Sequence, residues 1–178
     1  PSDLIDDKIV FTDRITRSAY ARDASMYRLM PESVVKPRNI HDVRNLLEFA
    51  NSSKTPVTFR AGGTSLSGQS VSNSIIAEIL HNWKKFKIID NGKSIFLEPG
   101  VVAAHANSFL SSYKTKLGPD PASINSATIG GILSNNSSGM VCGTEFNAYH
   151  TLKSVSFMLP NGNVYDTGIP NENERFIQ

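Results

Sequence analysis

Three short apolar runs and one helical period organise the first half of the chain. Val34-Val35, closed by Lys36-Pro37, reads as a short strand stopped by proline. From Ile40, apolar residues recur at Val43, Leu46, Leu47 and Ala50, which is the spacing of one helix face. Asn39 fits the N-cap, Asp42 falls in the first turn, and the helix is expected to end near Asn51-Ser52-Ser53. Pro56 opens the next strand, Val57-Thr58-Phe59, and Ile75-Ile76-Ala77 is a third apolar run. A strand, a helix and a strand in this order predict a right-handed crossover between parallel strands.

The second half alternates instead. Phe86, Ile88, Ile95 and Leu97 lie on either side of Asn91-Gly92, a signal for an antiparallel hairpin, and Trp83 and Phe86 are read as packing residues. After Glu98-Pro99-Gly100, the residues Val101 or Val102, His105 or Ala106, Phe109, Leu110 and Tyr113 share one side of a helix, with His105 packed and hydrogen-bonded on or near it. Leu152 to Leu159, a turn at Asn161-Gly162 and a return through Val164-Tyr165 predict a second hairpin at the edge of a sheet. Residues 1–33 are mixed in pattern: an apolar or amphipathic segment around Leu4 to Ile9, then Tyr20-Ala21-Arg22-Asp23-Ala24-Ser25-Met26-Tyr27-Arg28. They are given no role in a site.

Between the second and third apolar runs stands Arg60-Ala61-Gly62-Gly63-Thr64-Ser65-Leu66-Ser67-Gly68-Gln69-Ser70. Three glycines and four small hydroxyl residues in eleven positions offer many backbone N–H groups at little steric cost, as a loop around a phosphate or pyrophosphate requires. Arg60 would set a fixed positive charge at its mouth. A second loop of similar character runs from Gly118-Pro119-Asp120-Pro121-Ala122-Ser123 through Thr128-Ile129-Gly130-Gly131-Ile132-Leu133-Ser134 to Asn135-Asn136-Ser137-Ser138-Gly139. Two such loops suggest an extended ligand with a diphosphate. Neither carries a P-loop: Gly92-Lys93-Ser94 has Lys87 where the first glycine belongs. The Gly-x-Gly-x-x-Gly dinucleotide fingerprint is also missing from the first strand-to-helix turn, which argues against an ordinary kinase or Rossmann dehydrogenase.

Composition narrows the classes further. The 178 residues are 39% hydrophobic and 19% charged, enough for one sizeable core. A formal net charge of +2 without a basic run argues against a nucleic-acid partner. A single cysteine, Cys142, excludes an internal disulfide framework and is expected to be a small buried residue. His41, His81, His105 and His150 are scattered without metal-ligand spacing, so no metal is expected. No stretch has the apolar length of a membrane span, and the expected location is cytoplasmic, with peripheral attachment to an inner membrane open for a full-length parent. The start at Pro1 and the polar Pro170-Asn171-Glu172-Asn173-Glu174 stretch near the end lead to the expectation of a piece of a longer polypeptide.

Taken together, Val34-Val35-Lys36-Pro37, Pro56-Val57-Thr58-Phe59-Arg60-Ala61-Gly62-Gly63-Thr64-Ser65, Glu98-Pro99-Gly100-Val101, Pro119-Asp120-Pro121-Ala122-Ser123, Ile129-Gly130-Gly131 and Asn135-Asn136-Ser137-Ser138-Gly139 resemble the FAD-binding domain of the vanillyl-alcohol oxidase family, and most of all its glycolate oxidase and D-lactate dehydrogenase branch. The resemblance runs from about Ala19 to Gly168. It implies an α+β, two-subdomain FAD-binding fold: a small parallel strand-helix-strand unit and a larger, mainly antiparallel sheet flanked by helices. Residues 1–33 would pack on the domain, 34–168 would form it with a subdomain break near 80–84, and 169–178 would begin a linker to a C-terminal domain.

The resemblance also implies site residues. Amides from Ala61 to Leu66 would cradle the pyrophosphate, joined by Thr64, Ser65, Gln69 and Ser70, with Gly62 and Gly63 permitting close approach and Pro56 and Arg60 at the flanks. Pro119 and Asp120 would lie beside the flavin ring, followed by Ala127, Thr128 as a helix cap, and the amides of Ile129, Gly130 and Gly131. Asn135, Asn136, Ser137 and Gly139 would meet the flavin edge, and Thr151 would belong to the segment closing over it. Members that bind flavin covalently often carry His directly after the two glycines; Thr64 stands there, and Asn125-Ser126-Ala127 has no thiol, so non-covalent FAD is implied. The activity implied is oxidation of a D-2-hydroxy acid such as lactate or glycolate, with hydride passing to FAD and electrons to a separate acceptor. Substrate groups would come from a second domain. The same module in an alcohol or sugar oxidase or a nicotinamide-dependent reductase stays open, as does a non-enzymatic module binding another diphosphate or serving as a protein-interaction surface.

Overall fold

The computed structural model describes residues 4–172. Its larger sheet has four strands in the order β1-β2-β4-β3: β1 (Val10–Phe11), β2 (Ser33–Val35), β3 (Val57–Arg60) and β4 (Ile75–Glu78). Strands β2 and β3 both run parallel to β4, with Val34 and Thr58 each opposite Ile76, while β1 is antiparallel to β2. All four residues of β4 are buried. A continuous apolar run suits a strand whose two faces are both covered, which is why Ile75-Ile76-Ala77 shows no alternation.

Between β2 and β3 runs helix α2 (Ile40–Ser53). Asn39 caps it as its sequence position suggests, Oδ1 accepting from the amides of His41 and Asp42 at 2.9 and 3.1 Å. The helix ends when Lys54 adopts a left-handed conformation. Its apolar stripe brings Leu46 against Ile9, Val35, Ile75 and Ala77, with Ile5, Val10, Phe49 and Val57 packed around them. Residues expected to lie outside the domain proper therefore help to build it: Ile9 is in the core and β1 forms one edge of the sheet. Before β2 there are also a 3-10 turn at Asp7–Ile9 and a short helix, α1 (Arg14–Ala19).

Antiparallel pairing in the second half is divided between two ladders. The hairpin β5 (Phe86–Ile89) and β6 (Ser94–Leu97) turns through Asp90-Asn91-Gly92, and Asp90 and Asn91 take positive φ values of 50° and 53°. Phe86 stacks on Phe109 of helix α3 (Ala103–Leu110) with ring centroids 3.8 Å apart, and the Trp83 Nε1–H donates to Pro37 O at 2.9 Å. Both aromatics pack, as expected. His105 does not: it lies on the exposed side of α3, because the buried face is carried by Ala103, Ala106 and Leu110. The second hairpin, β7 (Ser156–Met158) and β8 (Val164–Asp166), forms a ladder of its own rather than the edge of a sheet. It is tied to α2 by bonds from Arg44 to Gly162 O and from Asn51 to Pro160 O.

Helices α4 (Ile129–Ser134) and α5 (Ala148–Thr151) complete the second half. A second core of Ala103, Ala127, Ile132 and Ala148 lies here, surrounded by Leu117, Ile124, Ile129 and Leu133. Cys142 is buried at 4% exposure, as a small core residue should be. Of the expected linker, residues 173–178 lie outside the described residues, whereas Glu172 folds back to accept from the Asp166 amide at 2.9 Å.

Candidate cofactor site

Residues 61–74 connect β3 to its parallel neighbour β4. A parallel connection must return along the whole strand, which explains the length of the loop where a tight turn would fail. The amides of Ala61 to Leu66 meet no acceptor among the described residues. Six consecutive unbonded N–H groups form an arrangement suited to a diphosphate.

The loop is shaped from within. The Ser65 hydroxyl accepts from the amides of Ser67 and Gln69, each at 3.2 Å, and donates to Gln69 Oε1 at 3.1 Å. Ser65 and Gln69 thus form a small turn, leaving Leu66 at its exposed tip. Gly63 has φ +63°, and a Cβ there would meet Arg60 Nη2 at 2.6 Å. Arg60 consequently lies beneath the loop instead of at its mouth, a correction to the expectation. Its Nη1 donates to Tyr20 O at 3.0 Å and Ser70 O at 3.4 Å, and its guanidinium sits 5.3 Å from the Tyr20 ring centroid. Burial lowers its pKa against the opposing pull of Asp23, Tyr20 and Glu78.

The two glycine-rich loops come together. A Cβ on Gly62 would stand 2.3 Å from the carbonyl oxygen of Ser126, so only glycine permits this approach. The second loop is anchored on its other side: Ala103 N donates to Ala127 O at 3.0 Å and Ala104 N to Ile124 O at 3.1 Å. Two further bonds correct an expectation. The amides of Ile129 and Gly130 donate to Val101 O and Pro99 O, each at 2.9 Å, so they are not free for a ligand. The closeness of Pro99, whose Cβ would lie 2.7 Å from a Cβ on Gly130, brings those carbonyls within reach. Thr128 occupies the N-cap position of α4 but makes no side-chain capping bond. Its Oγ1 is buried with no partner, a polar atom that a ligand at the loop could satisfy.

Asp120 joins the start of this region to its end. Its amide donates to Ser138 O at 2.6 Å, and its Oδ1 accepts from the Cys142 amide at 3.2 Å beside Gly139. Pro119 is buried next to it. Of the two asparagines expected at the flavin edge, Asn135 accepts from Ser137 through Oδ1, and Asn136 accepts from the Tyr149 amide through Oδ1 at 3.1 Å. These asparagines build the return of the chain to α5, with Asn136 at φ 51°, while their amide groups bond nothing among the described residues. Thr151 uses its hydroxyl on Asn147 O at 2.9 Å, and its methyl packs where a Gly118 side chain would be. Pro56 stands at the opposite end of β3 from the cradle, accepting from the Ile75 amide at 3.3 Å, and is not brought into it.

Sequence reasoning passed over residues 20–27. Ala24 N donates to Gly63 O at 3.0 Å, and Asp23 Oδ2 accepts from Ser70 Oγ at 2.9 Å while Oδ1 accepts from the Ser25 amide at 2.9 Å. Burial raises the Asp23 pKa, but the Ser25 and Ser70 hydrogen bonds outweigh it and hold the carboxyl below its usual value. Asp-x-Ser is an Asx-turn signal, legible in sequence as a turn though not as a neighbour of the glycine loop.

The model of the FAD binding domain family matches residues 31–168. The chain belongs to the FAD-binding domain family. The unbonded amides and the orphaned Thr128 hydroxyl fit FAD, which is the cofactor of this domain. Among curated proteins, the D-2-hydroxyglutarate dehydrogenase of Haemophilus influenzae is 29% identical over 172 residues, covering 91% of this chain and 16% of its own length. Glycolate oxidase subunit GlcD of Bacillus subtilis is 26% identical over 156 residues, covering 85% of this chain and 33% of its own length. The FAD-binding domain thus spans only a minor part of the relatives it matches. Among solved structures, alkyldihydroxyacetonephosphate synthase superposes with a TM-score of 0.78 at 18% identity, covering 94% of this chain and 35% of that one. P-cresol methylhydroxylase gives 0.75 at 19%, covering 96% and 35%. These two likenesses establish the α+β fold expected from the sequence. Among the described residues, no helix is long and apolar enough to cross a membrane.

Proposed function

We propose that this chain is the FAD-binding part of a flavoprotein oxidoreductase acting on a D-2-hydroxy acid, of the lactate, glycolate or hydroxyglutarate kind. The observation carrying the reading is the run of unbonded amides from Ala61 to Leu66, held against Ser126 of the second loop by Gly62. The named activities of the curated relatives point to the substrate class. FAD, when bound, supplies a hydride acceptor. The chain's own residues bind and orient it. The Ala61 to Leu66 amides take the diphosphate, Ser65 and Gln69 keep those amides aligned, and Thr128 Oγ1 gains a partner. Asp120, through Ser138 and Cys142, holds the second loop in place. With Thr64 after the two glycines and no thiol at 125–127, the attachment is non-covalent. The groups that recognise the hydroxy acid and pass electrons onward belong to parts of a longer polypeptide.

Titrating the purified chain with FAD, FMN and ADP tests this reading. Binding of FAD with at least a tenfold preference over FMN, competition by ADP, and release of all flavin by acid are the expected results. Equal affinity for FAD and FMN would refute the diphosphate role, and flavin retained after acid would refute non-covalent attachment.

A further inference from the structure

Two polar clusters lie against the underside of the glycine loop, and both are anchored in residues 20–27. In one, Asp23 holds Ser70 Oγ through Oδ2 at 2.9 Å and the Ser25 amide and hydroxyl through Oδ1. In the other, Arg60 reaches beneath Gly63 to the carbonyls of Tyr20 and Ser70. The Ala24 amide bonds Gly63 O directly, and the Tyr27 ring lies where a side chain on Gly68 would be, 2.6 Å from a Cβ there. None of residues 20–27 falls within the 31–168 stretch that the family model matches.

We infer that Asp23 is a positioning residue for the cofactor, acting as a latch that locks the glycine loop in its receiving shape through Ser70. The inference rests on the FAD reading above and extends it to a residue that makes no contact with the cradle amides. A loop rich in glycine and serine has many conformations of similar energy. The unbonded amides can serve one anion together only in the fraction of molecules whose loop is already shaped, and apparent affinity scales with that fraction. Ser65 and Gln69 fix the outer turn of the loop but do not tie it to the fold. Asp23 makes that tie at Ser70, at the far end of the glycine-rich stretch, and Ala24 makes it at Gly63. Arg60 then closes the underside, with the Asp23 carboxylate among the charges that favour its protonated form.

The full chain is compared with Asp23→Ala, Asp23→Asn and Ser70→Ala. Asp23→Ala should weaken FAD and ADP binding by the same factor, about tenfold, which is the scale of one lost hydrogen bond, the one to Ser70 that ties the loop. Asp23→Asn keeps an acceptor for Ser25 and offers Ser70 a donor in place of the carboxylate, so it should restore most of the affinity. A merely structural role would not separate these two variants in this way. Ser70→Ala should add little to Asp23→Ala in the double variant, because both break one bond. A ligand-free readout separates failure of the latch from failure of the FAD reading: trypsin should cut the Arg60–Ala61 bond slowly in the native chain and at least tenfold faster in Asp23→Ala. Faster cutting with no FAD binding by the native chain would keep the latch and refute the cofactor reading. Native-like FAD affinity or native-like cutting at Arg60 in Asp23→Ala would overturn the latch.

Discussion

At the scale of single residues, the site is made by what glycine lacks and by what one arginine reaches. Gly62 lets the first loop touch the Ser126 carbonyl, and any side chain there must push two backbones apart. Gly62→Ala should therefore lower FAD affinity by about tenfold or more, roughly 1.4 kcal/mol, in a flavin-fluorescence titration. The same clash is present without ligand, and Ser126 adjoins Ala127 of the second core, so the apo chain should lose thermal stability as well. The glycine pair after a strand reads as room for a pyrophosphate, and in the structure Gly62 gives room to the Ser126 carbonyl. The place of Arg60 was not legible beforehand. A cation beside such a loop reads as a ligand contact, but its partners are the carbonyls of Tyr20 and Ser70, groups that every residue owns and no sequence pattern marks. The Ile129 and Gly130 amides were misread for the same reason, their acceptors being the carbonyls of Val101 and Pro99.

At the scale of elements, local signals read truly where the element is stabilised locally. Helix α2 follows from its apolar spacing and its Asn39 cap, and the Asn91-Gly92 and Asn161-Gly162 hairpins form where turn chemistry places them. Asn39→Ala removes an acceptor for two helix amides and should cost about 1 kcal/mol, which urea unfolding can resolve. The same change should leave the relative affinities for FAD and FMN as they were, because α2 packs on the sheet through Leu46, apart from the cradle. Strand β1 escaped notice because two residues carry no periodicity; only its register with Val34 and Val35 makes Val10–Phe11 a strand. The order of the strands was equally hidden. Nothing local says that the run at 75–77 enters the sheet between the two strands before it.

At the scale of the whole molecule, the N-terminal segment is part of the domain. It supplies β1, places Ile9 in the core, and braces the loop through residues 20–27. A chain beginning at residue 31, where the family match starts, loses all three. Burial of Ile9 alone is worth about 2 kcal/mol, so this truncation should lose its cooperative thermal transition, followed by near-ultraviolet circular dichroism. Retention of a sharp transition would show that the segment is dispensable for folding. The placing of β4 also bears on how the chain is made. Strands β2 and β3 leave the ribosome first but lie on either side of a strand not yet synthesised, so they have no ladder to form with each other. Parallel pairing begins when residues 75–78 arrive, and that step encloses the glycine loop between two hydrogen-bonded strands. Completion of the sheet therefore closes the loop carrying Ala61 to Leu66 at both ends, and its contact with Ser126 follows only when the second loop has been made.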